Sequence, residues 1–166
     1  MLLRKKKPAE LPSLEETAED FTITDGEKYV DEIFESDMKI SRSFVHPHLD
    51  EEEYEENYAR AIKELLATGE HKFFVAIDGY NRYLGHVWVC LRTDTVDFVP
   101  VAYIFDIETL FPGRGIGSVL LERAEGWARE KGARKVSLRV ELDNPALEWY
   151  KRRSYRERAI VLEKEL

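Results

Sequence analysis

The sequence predicts an α/β (α+β) fold: a single domain in which helices cover both faces of a mixed, mostly antiparallel central sheet. The chain has 166 residues, 43% of them apolar, which is enough to bury a sizeable core in one domain. Two strand-like runs around a short turn lie in its middle. A strand, a glycine-rich turn, a helix and another strand follow them. This order of elements predicts the mixed sheet.

The N-terminal half is predicted to be mainly helical. Residues 1–6 are expected to form a first strand, whereas residues 11–24 are ambiguous, with a short helix able to start at Ser13. Residues 25–44 carry apolar side chains close to helical spacing. A second helix is predicted to begin at Asp50 and to run to about residue 68.

The C-terminal half is predicted to alternate strands and helices. Strands are expected over residues 72–78 and 82–93, on either side of a turn, and over residues 100–109. An amphipathic helix then runs to about residue 131. The remaining predicted elements are a strand at 135–141, a helix at 145–153 and a closing strand at 157–163.

Composition narrows the functional classes. No run of 18 apolar residues is present, so no membrane span is expected, and the start of the chain lacks the apolar core of a secretory signal. The basic cluster at residues 4–7 is too short to indicate nucleic-acid binding. The single cysteine excludes a disulfide within the chain and favours a reducing cytoplasm. The absence of Gln and the 35% charged content resemble proteins of thermophiles.

Metal binding is not expected. His46 and His48 have His-x-His spacing, but no nearby ligand set completes a site. His71 and His86 are scattered and are expected to be structural or surface residues. Cys90 lies in the middle of a strand, where a cysteine is usually buried and is not a nucleophile.

The segment from Leu110 to Ser118, LFPGRGIGS, is the most informative in the chain and is called the glycine turn below. A strand that passes through glycines into a helix start leaves backbone N–H groups unpaired, and the helix dipole adds partial positive charge there. Glycines also permit positive φ and the close approach of a phosphate. The glycine turn therefore predicts an anion site, although a tight strand-to-helix turn without a ligand has the same pattern.

A second motif, NPALEWYKRRSY, spans Asn144 to Tyr155. Asn144 can cap the helix, and Pro145 suits its first turn. Together with the glycine turn, this motif resembles the GNAT superfamily of acetyl-CoA-dependent N-acetyltransferases. Their turn reads Q/R-x-x-G-x-G/A, and their later helix often reads N-P-A-L-x-x-Y-x-x-x-G-F. The resemblance covers residues 73–166 and implies the GNAT fold, with acetyl-CoA as co-substrate.

Two departures from the family pattern concern this turn and helix. Pro112 stands where the family usually has Gln or Arg, so the contribution of that side chain to phosphate binding is absent and Arg114 is its nearest substitute. Ser154 and Tyr155 replace the usual Gly and Phe, which are mild changes. Neither departure alters the backbone amides of the glycine turn.

The resemblance implies an acetyl-CoA site built from three segments. The pyrophosphate would lie on the amides of the glycine turn, and Asn144 would bind the pantetheine arm unless it only caps the helix. In the preceding strand, either Ile107 or Thr109 takes the family's usual Val position, depending on whether the loop carries a two-residue deletion. The implied cofactor-binding residues are Ile107, Thr109, Gly113, Arg114, Gly115, Ile116, Gly117, Ser118, Asn144 and Tyr150.

Amine acetylation needs a group that takes the proton of the amine and a group that stabilises the leaving thiolate. Asp106 and Glu108 are two residues apart, so they point to the same side of a regular strand. Desolvation would raise a carboxyl pKa there and suit a base. Glu108 is preferred because family members often carry Glu near the splay of the strand; the alternative is that both acids only cap the strand or pair with basic neighbours. Tyr150 matches the family's tyrosine near the sulfur and is the implied acid, or else a packed aromatic.

The acidic N-terminal part bears on the acceptor. Residues 10–56 hold 17 acidic side chains against three basic ones. Such a field would concentrate a cationic amine, such as a polyamine or a basic peptide, unless the acids only form a solvated helix face. Residues 1–70 are accordingly assigned to the acceptor side, and residues 71–166 to acetyl-CoA binding.

These observations predict a cytoplasmic N-acetyltransferase in which a primary amine attacks acetyl-CoA directly in a ternary complex. No metal, nucleic acid or membrane partner is expected, and the resemblance leaves a homodimer open. The alternative is a non-catalytic module on the same fold that binds or senses acyl-CoA. A nucleotide-binding protein is disfavoured, because the glycine turn lacks a Gly-Lys-Ser/Thr ending and does not match G-x-G-x-x-G.

Overall fold

The structure is a computed structural model that describes residues 10–43 and 50–166. The helices and strands of this part alternate much as the sequence predicts, and a 3-10 turn at Glu27–Tyr29 leads into the second helix. In chain order they are α1 (Leu14–Thr17), β1 (Thr22–Asp25), α2 (Val30–Arg42), α3 (Glu51–Leu66), β2 (Glu70–Ile77), β3 (Tyr83–Thr93), β4 (Pro100–Thr109), α4 (Ile116–Glu130), β5 (Lys135–Leu138) and α5 (Ala146–Lys151).

Local hydrogen bonds explain where the first helices begin. The Ser13 hydroxyl accepts the N–H of Glu16, whose carboxylate accepts the N–H of Ser13 in return, which is a capping box. The Asp50 carboxylate accepts the N–H of Glu53 at 2.8 Å and caps α3 in the same way. Both predicted helix starts are therefore confirmed.

The five strands form one sheet in the order β1-β2-β3-β4-β5. The first four strands pair antiparallel, and β5 pairs parallel with β4. The parallel pair requires a crossover connection, which the glycine turn and α4 supply. The predicted fold class, a single domain with a mixed and mostly antiparallel sheet, is confirmed.

Helices cover both faces of the sheet, and the two faces bury different types of side chain. The face towards α4 is a mainly aliphatic core in which Leu120 and Leu121 pack with strand residues such as Val87 and Val89. The face towards α2 is aromatic, with the Phe34 ring 5.7 Å from that of Trp88 in an edge-on arrangement. Below, these faces are called the α4 face and the α2 face.

A β-bulge in β4 changes which residues reach each face. Trp88 lies opposite Asp106, whereas the next residue of β3, Val89, lies opposite Ile104. Phe105 is therefore the extra residue, and the alternation of side chains shifts by one beyond it. Ile104 remains in the core of the α4 face.

The shift places two acids on the α2 face. Asp106 and Glu108 lie opposite Trp88 and His86, so all four side chains are on the same side of the sheet. An unbroken alternation from Ile104 would instead put Asp106 in the aliphatic core of the α4 face.

The end of β4 separates from β5. Their parallel ladder runs from Val101 opposite Lys135 to Ile104 opposite Leu138, while β4 continues to Thr109. Among the residues that the structure describes, no strand pairs with this edge of β4 beyond Ile104. Backbone groups of the last part of β4 are thus left for another partner.

Three predictions about strands need correction or fall outside the description. The closing strand expected at 157–163 is wrong: the structure places no strand there, and the side chains of Ile160 and Leu162 are 86% and 90% exposed. Strand propensity alone does not make a strand where no ladder partner is aligned with it. Conversely, β1 arises in the stretch that was ambiguous, and the strand expected at residues 1–6 lies outside the described residues.

Across residues 10–43 and 50–166, no helix is long and apolar enough to cross a membrane.

Candidate functional site

The backbone of the glycine turn adopts positive φ angles and leaves the first amides of α4 outside the helical ladder. Gly113 and Gly115 have φ angles of +82° and +80°, a region that side chains disfavour, and a Cβ on either would meet no atom within 4 Å. The helical hydrogen bonds of α4 begin with the Val119 N–H, which donates to the Gly115 carbonyl at 3.2 Å. The amides of Ile116, Gly117 and Ser118 therefore precede the ladder, and no side chain caps this helix start.

Two arginines flank the glycine turn. Arg114 donates to the backbone carbonyl of Glu15 at 2.9 Å and forms ion pairs with Glu15 and Glu19. Arg153, beyond the end of α5, donates to the Ser118 hydroxyl at 2.6 Å and stacks on the Trp149 ring at 3.8 Å. Sequence reasoning did not select Arg153, because only the packing of α5 beside the start of α4 brings it there.

The two candidates for the strand contact lie at the open edge of β4. Ile107 is partly buried and packs against the core of the α4 face. The Thr109 hydroxyl accepts the N–H of Phe111 at 3.2 Å and so holds the start of the glycine turn. Both follow the end of the ladder with β5, and which of the two matches the family position stays open.

The second motif forms a short helix near this edge. Asn144 accepts the N–H of Ala146 through its side-chain oxygen at 2.9 Å, which is a capping interaction. Tyr150 is buried, and its ring lies 4.9 Å from Trp149 and 5.5 Å from Tyr155. Burial, with the nearby negative Asp106, raises the pKa of Tyr150, so the phenol keeps its proton.

The two acids of β4 meet the inner face of α2. The Ser36 hydroxyl donates to the Glu108 carboxylate at 2.7 Å. Asp106 has a side chain that is only 14% exposed, and it lies 2.6 Å from Nε2 of the fully buried His86. On the other side of the His86 ring, Nδ1 lies 2.6 Å from the Tyr83 hydroxyl.

A third acid joins them from α2. The Tyr58 hydroxyl, from α3, donates to Asp37 at 2.6 Å, and Asp37 also interacts with Asp106. Asp37, Asp106 and Glu108 are called the carboxylate cluster below. Burial followed by repulsion from Asp106 raises the pKa of both Asp37 and Glu108. Such a shift is characteristic of an acid–base site.

The cluster has some features of a metal site. One nitrogen of His86 and one oxygen each of Asp106 and Glu108 lie within 4.8 Å of one another, and divalent metals use such ligands. In this structure, however, both ring nitrogens of His86 are already engaged by Tyr83 and Asp106. His46 and His48 lie outside the described residues.

Sequence reasoning missed Asp37 of the carboxylate cluster and the role of the neighbouring His86. His86 was expected to be structural or on the surface; the structure buries it, as a structural residue would be, and also places it beside the candidate base Asp106. Asp37 follows the buried Ile33 by four residues, so helical periodicity placed it on the inner face of α2. That signal was available, but nothing in the sequence showed which strand the helix would cover.

Comparisons with known proteins identify the family of this chain. The model of the acetyltransferase (GNAT) family matches residues 28–155. A Pyrococcus furiosus structure named as an acetyl transferase is 52% identical, with a TM-score of 0.85, and the match covers 88% of this chain and 99% of that one. A glucosamine-6-phosphate N-acetyltransferase from Arabidopsis thaliana is 16% identical with a TM-score of 0.59, covering 87% of this chain and 97% of the other, and supports the fold alone.

A curated relative points the same way. An uncharacterised N-acetyltransferase of Methanocaldococcus jannaschii is 31% identical over 136 residues, which are 80% of this chain. The match spans 58% of the length of that relative. Because the family model covers most of the sequence and includes both the glycine turn and the α5 motif, this chain belongs to the GNAT family of acetyltransferases.

Proposed function

We propose that this protein is an N-acetyltransferase that transfers the acetyl group of acetyl-CoA to a primary amine. One observation carries the proposal: the unpaired edge of β4 runs between the glycine turn and the carboxylate cluster, in which the pKa values of Asp37 and Glu108 are raised. A thioester lying along that edge would have its phosphates at the glycine turn and its carbonyl near Asp106 and Glu108. GNAT membership supports acetyl-CoA as the donor.

The pyrophosphate would be held mainly by backbone amides. The N–H groups of Ile116, Gly117 and Ser118 precede the helical ladder of α4, and the positive end of the helix dipole adds to their attraction. Pro112 supplies no polar side chain, but Arg153 lies hydrogen-bonded to Ser118 and can supply a cation from α5 instead. Asn144 would bind the pantetheine arm.

Glu108 would be the general base. The pKa of the Glu108 carboxyl is raised and so lies closer to the working pH. The carboxylate accepts one hydrogen bond from Ser36 and has lone pairs left to accept the proton of the amine. Asp106 is the alternative base, although its carboxylate already interacts with His86 and Asp37. The neutral amine then attacks the thioester carbonyl directly, without a covalent enzyme intermediate.

Tyr150 would assist the leaving thiolate. Its raised pKa makes full proton transfer to a thiolate unfavourable, so the phenol would act chiefly by donating a hydrogen bond as the C–S bond breaks. Thr109 and Ile107, at the open edge of β4, would orient the thioester beside it.

The acceptor would be cationic before it reacts. Three carboxylates converge where α2 crosses β4, and they would favour an ammonium group over a neutral or anionic acceptor. A small amine, a polyamine and a peptide amino group all satisfy this condition. Residues 1–70 would shape the acceptor side and residues 71–166 the acetyl-CoA side, in a cytoplasmic protein able to form homodimers.

Two measurements test the proposal. Isothermal titration with acetyl-CoA should give micromolar binding, and a thiol-release assay over polyamines, amino acids and short peptides should show turnover with one amine class. Binding without turnover on any amine would instead favour a module that senses acyl-CoA. Absence of binding would show that the family fold is retained here without its cofactor site.

A further inference from the structure

An aromatic surface adjoins the carboxylate cluster on the α2 face. The bulge in β4 brings Phe105 to the same face as its neighbour Asp106, and the centre of the Phe105 ring lies 4.7 Å from that of Trp88. The centre of the Tyr103 ring lies 5.0 Å from that of Phe105. Trp88, Tyr103 and Phe105 are called the aromatic shelf below. The shelf therefore begins beside Asp106 and continues along β4 away from the glycine turn.

A cation lies at the far end of the aromatic shelf. The guanidinium of Arg92, from β3, is 3.9 Å from the centre of the Tyr103 ring and 5.7 Å from that of Phe105. Contact with two rings holds an otherwise exposed and flexible arginine side chain over the shelf. Tyr103 and Phe105 are themselves only partly buried, so the shelf keeps surface that a ligand can contact.

The charge of Arg92 is not neutralised by a neighbouring acid. Asp94, two residues further along the chain, pairs with Lys135 and Arg158 instead. Within the part of the chain that the structure describes, no carboxylate forms an ion pair with Arg92. A guanidinium presents N–H donors in a fork that matches a carboxylate. The aromatic shelf thus has three carboxylates at one end and an arginine without an anion at the other.

Strand geometry gives the spacing of these opposite charges. Trp88 lies opposite Asp106, and Arg92 is four residues further along β3, ~13 Å at the rise of a strand. The guanidinium folds back over Tyr103, which lies opposite Cys90 and so only two residues from Trp88. The two charges are therefore separated by about 7–13 Å. An extended peptide covers about 3.3–3.6 Å per residue, so about two to four residues span this gap.

We propose that the acceptor lies along the aromatic shelf and is the α-amino group of a peptide that carries a carboxylate about two to four residues after it, with Arg92 binding that carboxylate. This inference rests on the proposed function and narrows its acceptor to one class. The carboxylate cluster would hold the ammonium end before the amine loses its proton to Glu108. Arg92 would determine specificity, since it contacts the peptide away from the reacting atoms.

The two charges also fix the direction of the peptide. Reversal would bring its carboxylate to the carboxylate cluster and its ammonium to Arg92, and both contacts are repulsive. The residues between the two charges would pack on the rings of the shelf, which bury apolar surface well. A polyamine offers no anion to Arg92, and in a free amino acid the amine and the carboxylate are too close together to reach both ends.

The sharpest test compares tri-alanine with its C-terminal amide, because the two peptides differ by a single negative charge at the end remote from the amine. Arg92→Gln removes the positive charge and keeps a polar side chain, whereas Arg92→Lys keeps the charge without the fork. Arg129→Gln is the matched control, since Arg129 is an exposed arginine of α4, on the other side of the sheet. Each protein is assayed for kcat and KM with both peptides, free alanine and a diamine, and its melting temperature is recorded.

A carboxylate site at Arg92 predicts a specific pattern. The wild type should use tri-alanine with a kcat/KM about 5- to 20-fold above that of the amide. The gain should appear in KM, because an ion pair remote from the reacting atoms stabilises the ground state and the transition state alike, and it should shrink as salt is added. Arg92→Gln should lose the preference, and Arg92→Lys should keep part of it. Free alanine and the diamine should be used equally well by Arg92→Gln and the wild type, and Arg129→Gln should match the wild type throughout.

Two kinetic results would overturn the inference. The first is equal use of tri-alanine and its amide by the wild type. The second is an equal loss of kcat/KM in Arg92→Gln for both peptides and the diamine, which would mean that Arg92 only supports the packing of β3 and β4.

A binding measurement separates this inference from the proposed function. Each peptide is titrated calorimetrically into protein saturated with CoA, which carries no acetyl group, so the measurement needs no turnover. Tighter binding of tri-alanine than of its amide, lost in Arg92→Gln, would support the site even if no amine were acetylated, in which case the proposed function alone would fail. Turnover of other amines, with equal or absent binding of the two peptides, would refute the peptide site and leave the proposed function standing.

Discussion

The glycine turn gives the sharpest test of acetyl-CoA binding, through the pair Gly115→Glu and Gly115→Gln. Both side chains have nearly the same size, and both must adopt the positive φ of +80° at this position. A Cβ there meets no atom within 4 Å, so the shared cost is the left-handed backbone, about 1–2 kcal/mol, and no steric clash with the protein. The two variants then differ by one negative charge at the proposed pyrophosphate site.

That charge sets the expected magnitude. A carboxylate about 5 Å from one phosphate charge is repelled by about 0.8 kcal/mol at the dielectric of water and by about 3 kcal/mol at an effective dielectric of about 20. The difference in Kd between the Glu and Gln variants should therefore lie between about 4-fold and about 160-fold for one charge, and it should shrink as salt is added.

The assay is isothermal titration of wild type and both variants with acetyl-CoA, at low and at high salt. Gly117→Ala is a further control, because its Cβ would lie at an ordinary 3.6 Å from Trp149, and the family pattern accepts Ala at that position. Equal affinities for the Glu and Gln variants, or affinities of both equal to the wild type, would refute an anion site at this turn.

Three further results are expected from single substitutions. Glu108→Gln should lower kcat about 10²- to 10⁴-fold near neutral pH, and part of the loss should be recovered at alkaline pH, where the amine arrives neutral. A kcat equal to that of the wild type at every pH would exclude Glu108 as the base. Tyr150→Phe should lower kcat about 10- to 1000-fold with little change in acetyl-CoA affinity, and unchanged turnover would remove Tyr150 from the mechanism. Asp37→Asn should raise the melting temperature near neutral pH but leave it unchanged near pH 3. The pKa of Asp37 is raised in the folded protein, so folding stability is lost as pH rises through that pKa, and Asn carries no charge to lose it. A lower melting temperature of the variant at both pH values would contradict this sign.

The acetyl-CoA half of the site was largely predictable from short-range patterns. Glycines at 113 and 115 do adopt positive φ, and the helix begins directly after them. Asn144 caps the start of α5 as its position before Pro145 suggested. Such features depend on residues close together in the chain, so a sequence motif is enough to indicate them.

The acceptor half was not predictable in the same way. Asp106 and Glu108 share one side of β4, as their spacing indicated, but the choice of face depends on the bulge at Phe105. A bulge arises from the register between two strands, and register is not visible in either strand alone. His86 and Asp37 join the site only because β3 pairs beside β4 and α2 packs on that face of the sheet.

The strand that was wrongly predicted at 157–163 illustrates the same limit. Its apolar run favours a strand, yet no strand of the sheet pairs with these residues, and the side chains of Ile160 and Leu162 are exposed. By itself, the sequence determined the order of the elements from α2 to α5, the conformation of the glycine turn and the family, because these follow from local spacing and backbone chemistry. Only the tertiary structure decided which acids gather around His86, because burial and strand register bring together residues that are distant along the chain.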